Sequence, residues 1–196
     1  MNLRTSVSAF AIASLATASS AAITFSNFTT NSAAATAGFT VPSSVGGNSV
    51  TYQPGSAFLV GAAAPVTYEF AYDATDTQTS IKGVTGLTQA FVGGGGAASY
   101  TVQVFDLIGG GLLGTQTVNP AADPAQLVSI NFAQTTGIHV VSSITLAAAS
   151  SADFAAVAQT NESVQAVPEP ASMAALGLGV LGLLRRRRSA QSISRA

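Results

Sequence analysis

The chain has 196 residues, 47% of them hydrophobic, with 19 glycines and neither cysteine nor tryptophan. That length fits one folded domain, and the missing cysteines exclude disulfide scaffolds, thiolate metal sites and cysteine nucleophiles. Seven basic and eight acidic residues give a net charge of −1, but between Ile23 and Val167 seven acids face Lys82 alone, a net of −6 that disfavours binding to nucleic acid.

At the N-terminus Arg4 precedes the apolar run Val7 to Ala18, and the small residues Ser19, Ser20, Ala21 and Ala22 come next. This pattern predicts a secretory signal over residues 1–22, removed by signal peptidase after Ala21 or Ala22. The next 136 residues, 23–158, alternate apolar and polar side chains in short runs. The clearest run places Val66, Tyr68, Phe70 and Tyr72 on one face of a strand and Thr67, Glu69 and Asp73 on the other. Tyr100, Val102 and Val104 form a second inward row, and Gly109 to Gly111 lead to a partner strand at Leu112 to Val118, predicting a hairpin. Further strands are expected at Ile23 to Phe28, Ser49 to Tyr52, Phe58 to Val60, Thr79 to Val84, Leu87 to Val92, Val128 to Phe132, Ile138 to Leu146 and Phe154 to Val157.

The spacing predicts an all-β fold, an antiparallel β-sandwich of jelly-roll-like type, flanked by an N-terminal signal helix and a C-terminal hydrophobic helix. The alanine clusters at 33–35, 62–64 and 147–149 lack long helix-forming side chains and read as loops or strand ends. Residues 159–166, polar and bounded by proline, read as a linker.

The C-terminus has three parts: Val167-Pro168-Glu169-Pro170, the apolar stretch from Ala171 to Leu184, and Arg185 to Arg188. The prolines enforce an accessible extended strip. The fourteen apolar residues reach about 21 Å as a helix, short of the roughly 30 Å hydrocarbon core, and the arginines hold the residues beyond them on the cytoplasmic side. Residues 189–196 form a short tail.

This arrangement resembles the PEP-CTERM sorting signal of Gram-negative bacteria. Pro168-Glu169-Pro170 matches the name-giving triplet. Leu176, Gly177, Leu178, Gly179, Val180, Leu181, Gly182, Leu183 and Leu184 resemble the family's Leu/Gly helix, and Arg185, Arg186, Arg187 and Arg188 its basic end. The resemblance covers residues 167–188 and implies an exosortase partner that cuts near the triplet, after a membrane-bound intermediate. It also implies a destination at the outer surface or in the extracellular matrix. The tail from Ser189 to Ala196 departs from the family pattern, in which such chains commonly end sooner.

Chemistry is sparse in the middle. His139 is the sole histidine, so any triad or imidazole-based metal site rests on it; its position opposite Ile138 and Val140 puts it on the solvent face. Asp73 and Asp76 are weak Ca²⁺ candidates without EF-hand spacing, and no other metal or cofactor is implied. A glycosidase would need Glu69 facing an aspartate. Gly93 to Gly96 lead into another strand rather than a helix, which makes them a hairpin loop and not a phosphate cradle.

With so little chemistry in the middle, the resemblance implies a secreted, exosortase-sorted, non-catalytic protein of a surface or biofilm matrix. One alternative is a carbohydrate-binding module in which Tyr52, Tyr68, Tyr72 or Tyr100 stacks on a polysaccharide. The other is a secreted hydrolase built on His139 or an acidic pair.

Overall fold

The computed structural model describes residues 23–39, 42–54, 57–61, 63–77, 80–120, 127–167 and 177–180. Residues 22–167 form one compact unit; in the second, made of 1–21 and 168–196, the described part is a helical turn at 177–180. The expected signal helix, the Pro168-Glu169-Pro170 triplet and the arginine run lie outside the described residues.

Eleven strands make up the larger unit: β1 (Ile23–Thr30), β2 (Ser44–Gly46), β3 (Ser49–Tyr52), β4 (Phe58–Val60), β5 (Ala63–Asp76), β6 (Ser80–Gly93), β7 (Ala97–Asp106), β8 (Leu112–Val118), β9 (Val128–Thr135), β10 (Gly137–Ala148) and β11 (Phe154–Val167). Every pairing is antiparallel. The first sheet has the order β1-β5-β10-β7-β8 and the second β2-β3-β11-β6-β9, with β4 also paired to β11. Strict alternation builds the interior. Along β10, Ile138, Val140, Ile144 and Leu146 are fully buried, as is Ser142 at the same parity, while His139, Val141, Ser143 and Thr145 are half-exposed. Together with Val102 and Val104 of β7 and Val50, Val84 and Val164 from the other sheet, they form one hydrophobic core. Each such buried side chain contributes about 1.5–3 kcal/mol, so this inward row is the main source of cohesion.

Three expectations need correction. The alanines at 33–35 lie in a helix, α1 (Ser32–Ala37), not a loop. Asn31 caps it by accepting a hydrogen bond from the Ala34 N–H at 2.8 Å, and Gly38 closes it in the left-handed region at φ 96°. The helix buries Ala34 and Ala37. Residues 159–166 are not a linker. They continue β11, which pairs with β3 at Thr160 to Ser163 and with β6 as far as Val167 opposite Ser80. Their alternation, with Thr160, Glu162 and Val164 inward, is that of a buried strand whose apolar row is interrupted by polar residues. Similarly, the two strands expected over residues 79–92 are one, β6, which continues through Thr85 and Gly86.

At one end of the sandwich the Asp153 carboxylate ties two turns together. It accepts from the Gly95 N–H at 2.7 Å in the β6–β7 turn, and from the Ala149 and Ser150 N–H groups at 3.0 and 2.7 Å before β11. The Gly95 hydrogen bond, then those from Ser150 and Ala149, hold its carboxyl below the usual carboxylate range. Because the folded value is depressed, Asp153 stabilises the fold above its unfolded pKa, and that contribution is lost as pH falls through the folded value. Asp153→Asn should therefore lower the melting temperature at pH 7, with the gap to wild type closing on acidification. Parallel, pH-independent melting curves would refute this role.

Candidate functional site

The tyrosines expected to stack on sugar are interior residues. Tyr72 and Tyr100 are fully buried, Tyr52 is 1% and Tyr68 5% exposed, so none presents an open ring face to solvent. This corrects the expectation, and the reason is in the alternation itself: each tyrosine sits at an inward position of its strand. Tyr52 packs on Phe70 and Phe39, and Tyr72 on Phe25 and Phe28. Tyr68 borders a surface depression, of about 340 Å³, lined also by Ser32, Ala33, Thr36, Ala37 and Val66.

The phenol oxygens instead surround a carboxylate on residues expected to form a linker. Glu162 of β11 is fully buried, and its Oε1 accepts from the Tyr100 and Ser142 hydroxyls, each at 2.5 Å. Thr88 and Thr160 share a buried hydrogen bond of 3.1 Å beside it in the β6–β11 ladder. Glu162 Oε2 and the Tyr52 and Tyr72 hydroxyls are buried without a partner of hydrogen-bonding geometry. Burial pushes the Glu162 carboxyl up, although the Ser142, Tyr100 and Tyr72 hydroxyls facing it act in the opposite direction. Desolvation, reinforced by the Glu162 charge, also raises the phenols of Tyr52, Tyr72 and Tyr100. A cluster enclosed in this way links the two sheets and offers no path to a substrate.

The outer face of the first sheet carries a different constellation. His139 is on the solvent side, as expected, with its side chain 38% exposed, but it is not solitary. Its Nδ1 lies 2.6 Å from Asp73 Oδ1, and Asn27 Nδ2 donates to Asp73 Oδ2, also at 2.6 Å. Asn27 reaches this position because a bulge interrupts the β1–β5 pairing between Ser26 and Thr29, and Asn27 takes φ 53° there. It is the one non-glycine residue in the left-handed region among the described residues. The cross-strand register continues the row from His139 to Phe105 and from Phe105 to Leu112. The Phe105 and imidazole centroids are 6.4 Å apart. Sequence reasoning could place His139 on this face from its parity, but not its partners, which come from 66 and 112 residues away along the chain for Asp73 and Asn27.

Asp73 and Asp76 do not converge as a Ca²⁺ pair would require: three residues apart on β5, they occupy opposite faces, Asp73 outward and Asp76 inward. Among the described residues no group of three His, Cys, Asp or Glu side chains is close enough to hold a metal ion. Glu69 and Asp73 share the outer face, but four residues along a strand separate them by about 13 Å, wider than the roughly 5–9.5 Å of paired glycosidase carboxyls.

Of the sorting segment, Val167 ends β11, and Gly177 to Val180 form a helical turn in which Leu178 and Val180 are 70% and 50% exposed. Among the described residues no helix is long and apolar enough to cross a membrane; most of 171–184 lies outside them.

No curated protein matches the chain. Solved structures that share its outline include TmCBM61 in complex with beta-1,4-galactotriose, at 12% identity, covering 79% of this chain and 94% of that one with a TM-score of 0.35. Another is chitosan-binding module 1, derived from a chitosanase/glucanase of Paenibacillus sp. IK-5, at 14% identity, 74% and 95% coverage and a TM-score of 0.29. A third is the accessory secretory protein 1, 2 and 3 structure from Streptococcus pneumoniae, at 8% identity, 62% and 87% coverage and a TM-score of 0.34. Residues 166–188 match the PEP-CTERM protein-sorting motif, so the chain carries the C-terminal segment by which proteins are exported through a membrane-associated exosortase to the cell surface.

Proposed function

We propose that residues 23–167 are a non-catalytic surface or extracellular-matrix module, delivered by a signal peptide and released from a membrane intermediate by exosortase cutting near Pro168-Glu169-Pro170. The observation that carries this reading is the match to the sorting motif at 166–188, directly where β11 ends. The module is built onto its own address segment with no intervening spacer. The dispersal of the acids supports a role without catalysis. Glu162 is enclosed, Asp153 is held by backbone N–H groups, and Asp106 accepts from Gly109 N–H and Thr135 within a turn.

Intact-mass measurement of protein recovered from the cell surface tests the reading. The expected species begins at Ala22 or Ile23 and lacks everything from Ala171 onward, and replacing Pro168, Glu169 and Pro170 with alanine should leave the full C-terminus in the membrane fraction. Surface protein that retains residues 171–196 would overturn it. A second reading, a carbohydrate-binding module, is favoured by the Asn27–Asp73–His139–Phe105–Leu112 row on the open face of the first sheet.

A further inference from the structure

We propose that this row is a binding site for a neutral polysaccharide chain lying across the strands of the first sheet; the inference rests on the carbohydrate-binding reading and assigns it a place and a ligand charge.

The row is amphipathic along its length. At one end stand an amide, a carboxylate and an imidazole; at the other, an aromatic ring and Leu112, which is 55% exposed. Registered pairs run from Ser26 to Asp73, His139, Phe105 and Leu112, so five strands contribute and the row spans about 19 Å at the usual strand separation. A sugar has the matching duality, with hydroxyls that both donate and accept and C–H faces that pack on apolar rings.

The polar end is already assembled. With Asp73 Oδ1 as the acceptor for Nδ1, the second ring nitrogen, Nε2, is left to exchange a hydrogen bond with a ligand, and the Asn27 carbonyl oxygen is not consumed by the bond its Nδ2 makes. Two 2.6 Å contacts hold these groups before any ligand arrives, which lowers the entropic cost of binding. Asn27 keeps a left-handed backbone that most side chains avoid, and in doing so it brings its amide to Asp73. Beyond the row the same face carries the exposed hydroxyl pairs Thr67–Thr145 and Thr101–Thr117, which can exchange hydrogen bonds with further sugar units. The net charge of −6 over residues 23–167 argues against an acidic polymer.

The test is isothermal titration of the full-length chain in detergent with cellohexaose, mannohexaose and β-1,4-galactohexaose, and with polygalacturonate as the acidic comparison. At least one neutral hexamer should bind, polygalacturonate should not, and Phe105→Ala and His139→Ala should each weaken binding tenfold or more. Asn27→Ala provides a third, exposed variant should either of these melt early. Phe91→Ala, which removes the 58% exposed ring on β6 of the other sheet, should leave affinity unchanged. Binding that survives Phe105→Ala, His139→Ala and Asn27→Ala but is lost in Phe91→Ala would overturn this site and leave the carbohydrate reading standing. Absence of binding to every neutral hexamer would overturn both, and equal binding of polygalacturonate would overturn the neutral-ligand assignment.

Discussion

Glu162→Ala should destabilise the sandwich by about 2–5 kcal/mol, the range expected when two buried hydroxyls lose their acceptor and a void is left behind. The change strands the Tyr100 and Ser142 hydroxyls, each of which donates to Glu162 Oε1, and opens a void between the sheets where Glu162 is fully enclosed. Glu162→Gln should behave differently. Its carbonyl oxygen keeps both donors, and its amide can serve the buried Tyr52 and Tyr72 oxygens, which lack partners. The pH dependence separates the two variants. The carboxyl is raised in the folded state, while the unfolded chain titrates near the ordinary value of about 4.3. Below that pH both states are protonated and the group contributes nothing. As pH rises through the interval up to the folded value, the unfolded state releases its proton first and stability falls. Chemical denaturation between pH 4 and 8 should show this decline in wild type and a flatter profile in Glu162→Gln. In the Asp153→Asn background, where the Asp153 contribution is absent, a stability that rises across this window would contradict the assignment.

The second large effect concerns a glycine. Gly86 of β6 stands directly opposite Glu162 in the β6–β11 ladder, and a Cβ there would meet the Tyr100 hydroxyl oxygen at 2.5 Å and its ring at 3.1 Å. Tyr100 cannot yield easily: it is fully buried and hydrogen-bonded to Glu162. Gly86→Ala should cost roughly 2–4 kcal/mol, combining the strain of overpacking with the loss of the Tyr100–Glu162 bond. Tyr100→Phe removes the oxygen that the new methyl group meets. The double variant should therefore be at least ~1 kcal/mol more stable than the sum of the two single losses, since the residues are in contact. Additive losses in urea denaturation would mean that the space beside Gly86 is not held for that phenol.

The architecture is legible in the sequence wherever burial keeps to parity. β3 and β4 appear at the expected residues, and the β7–β8 hairpin forms around its glycines, because side chains that alternate strictly leave one face for the core. β11 is half hidden because its inward positions after Val157 include Thr160 and Glu162, polar residues that alternation reads as solvent-facing. Their burial is stabilised by Ser142, Tyr100 and Thr88, which arrive from β10, β7 and β6, and no local pattern announces such partners. Helix α1 is obscured by its lack of long side chains, although Asn31 and Gly38 are start and stop signals present in the sequence. The sorting segment is the most legible part, since its chemistry is contiguous: prolines, an apolar run and arginines. The outer-face row is the least legible, because a bulge in β1 brings Asn27 to Asp73 and His139.

The course of β11 has a mechanical consequence. Its last residue, Val167, belongs to the third strand of β2-β3-β11-β6-β9, whereas the other end of the unit begins in β1, at the margin of its sheet. In the membrane-bound intermediate proposed above, tension on the tail would load a strand bonded to β6 over most of its length and to β3 through Thr160 to Ser163. The stretch from Thr160 to Ser163, paired on both sides, would have to give way along two ladders at once before the strand came out.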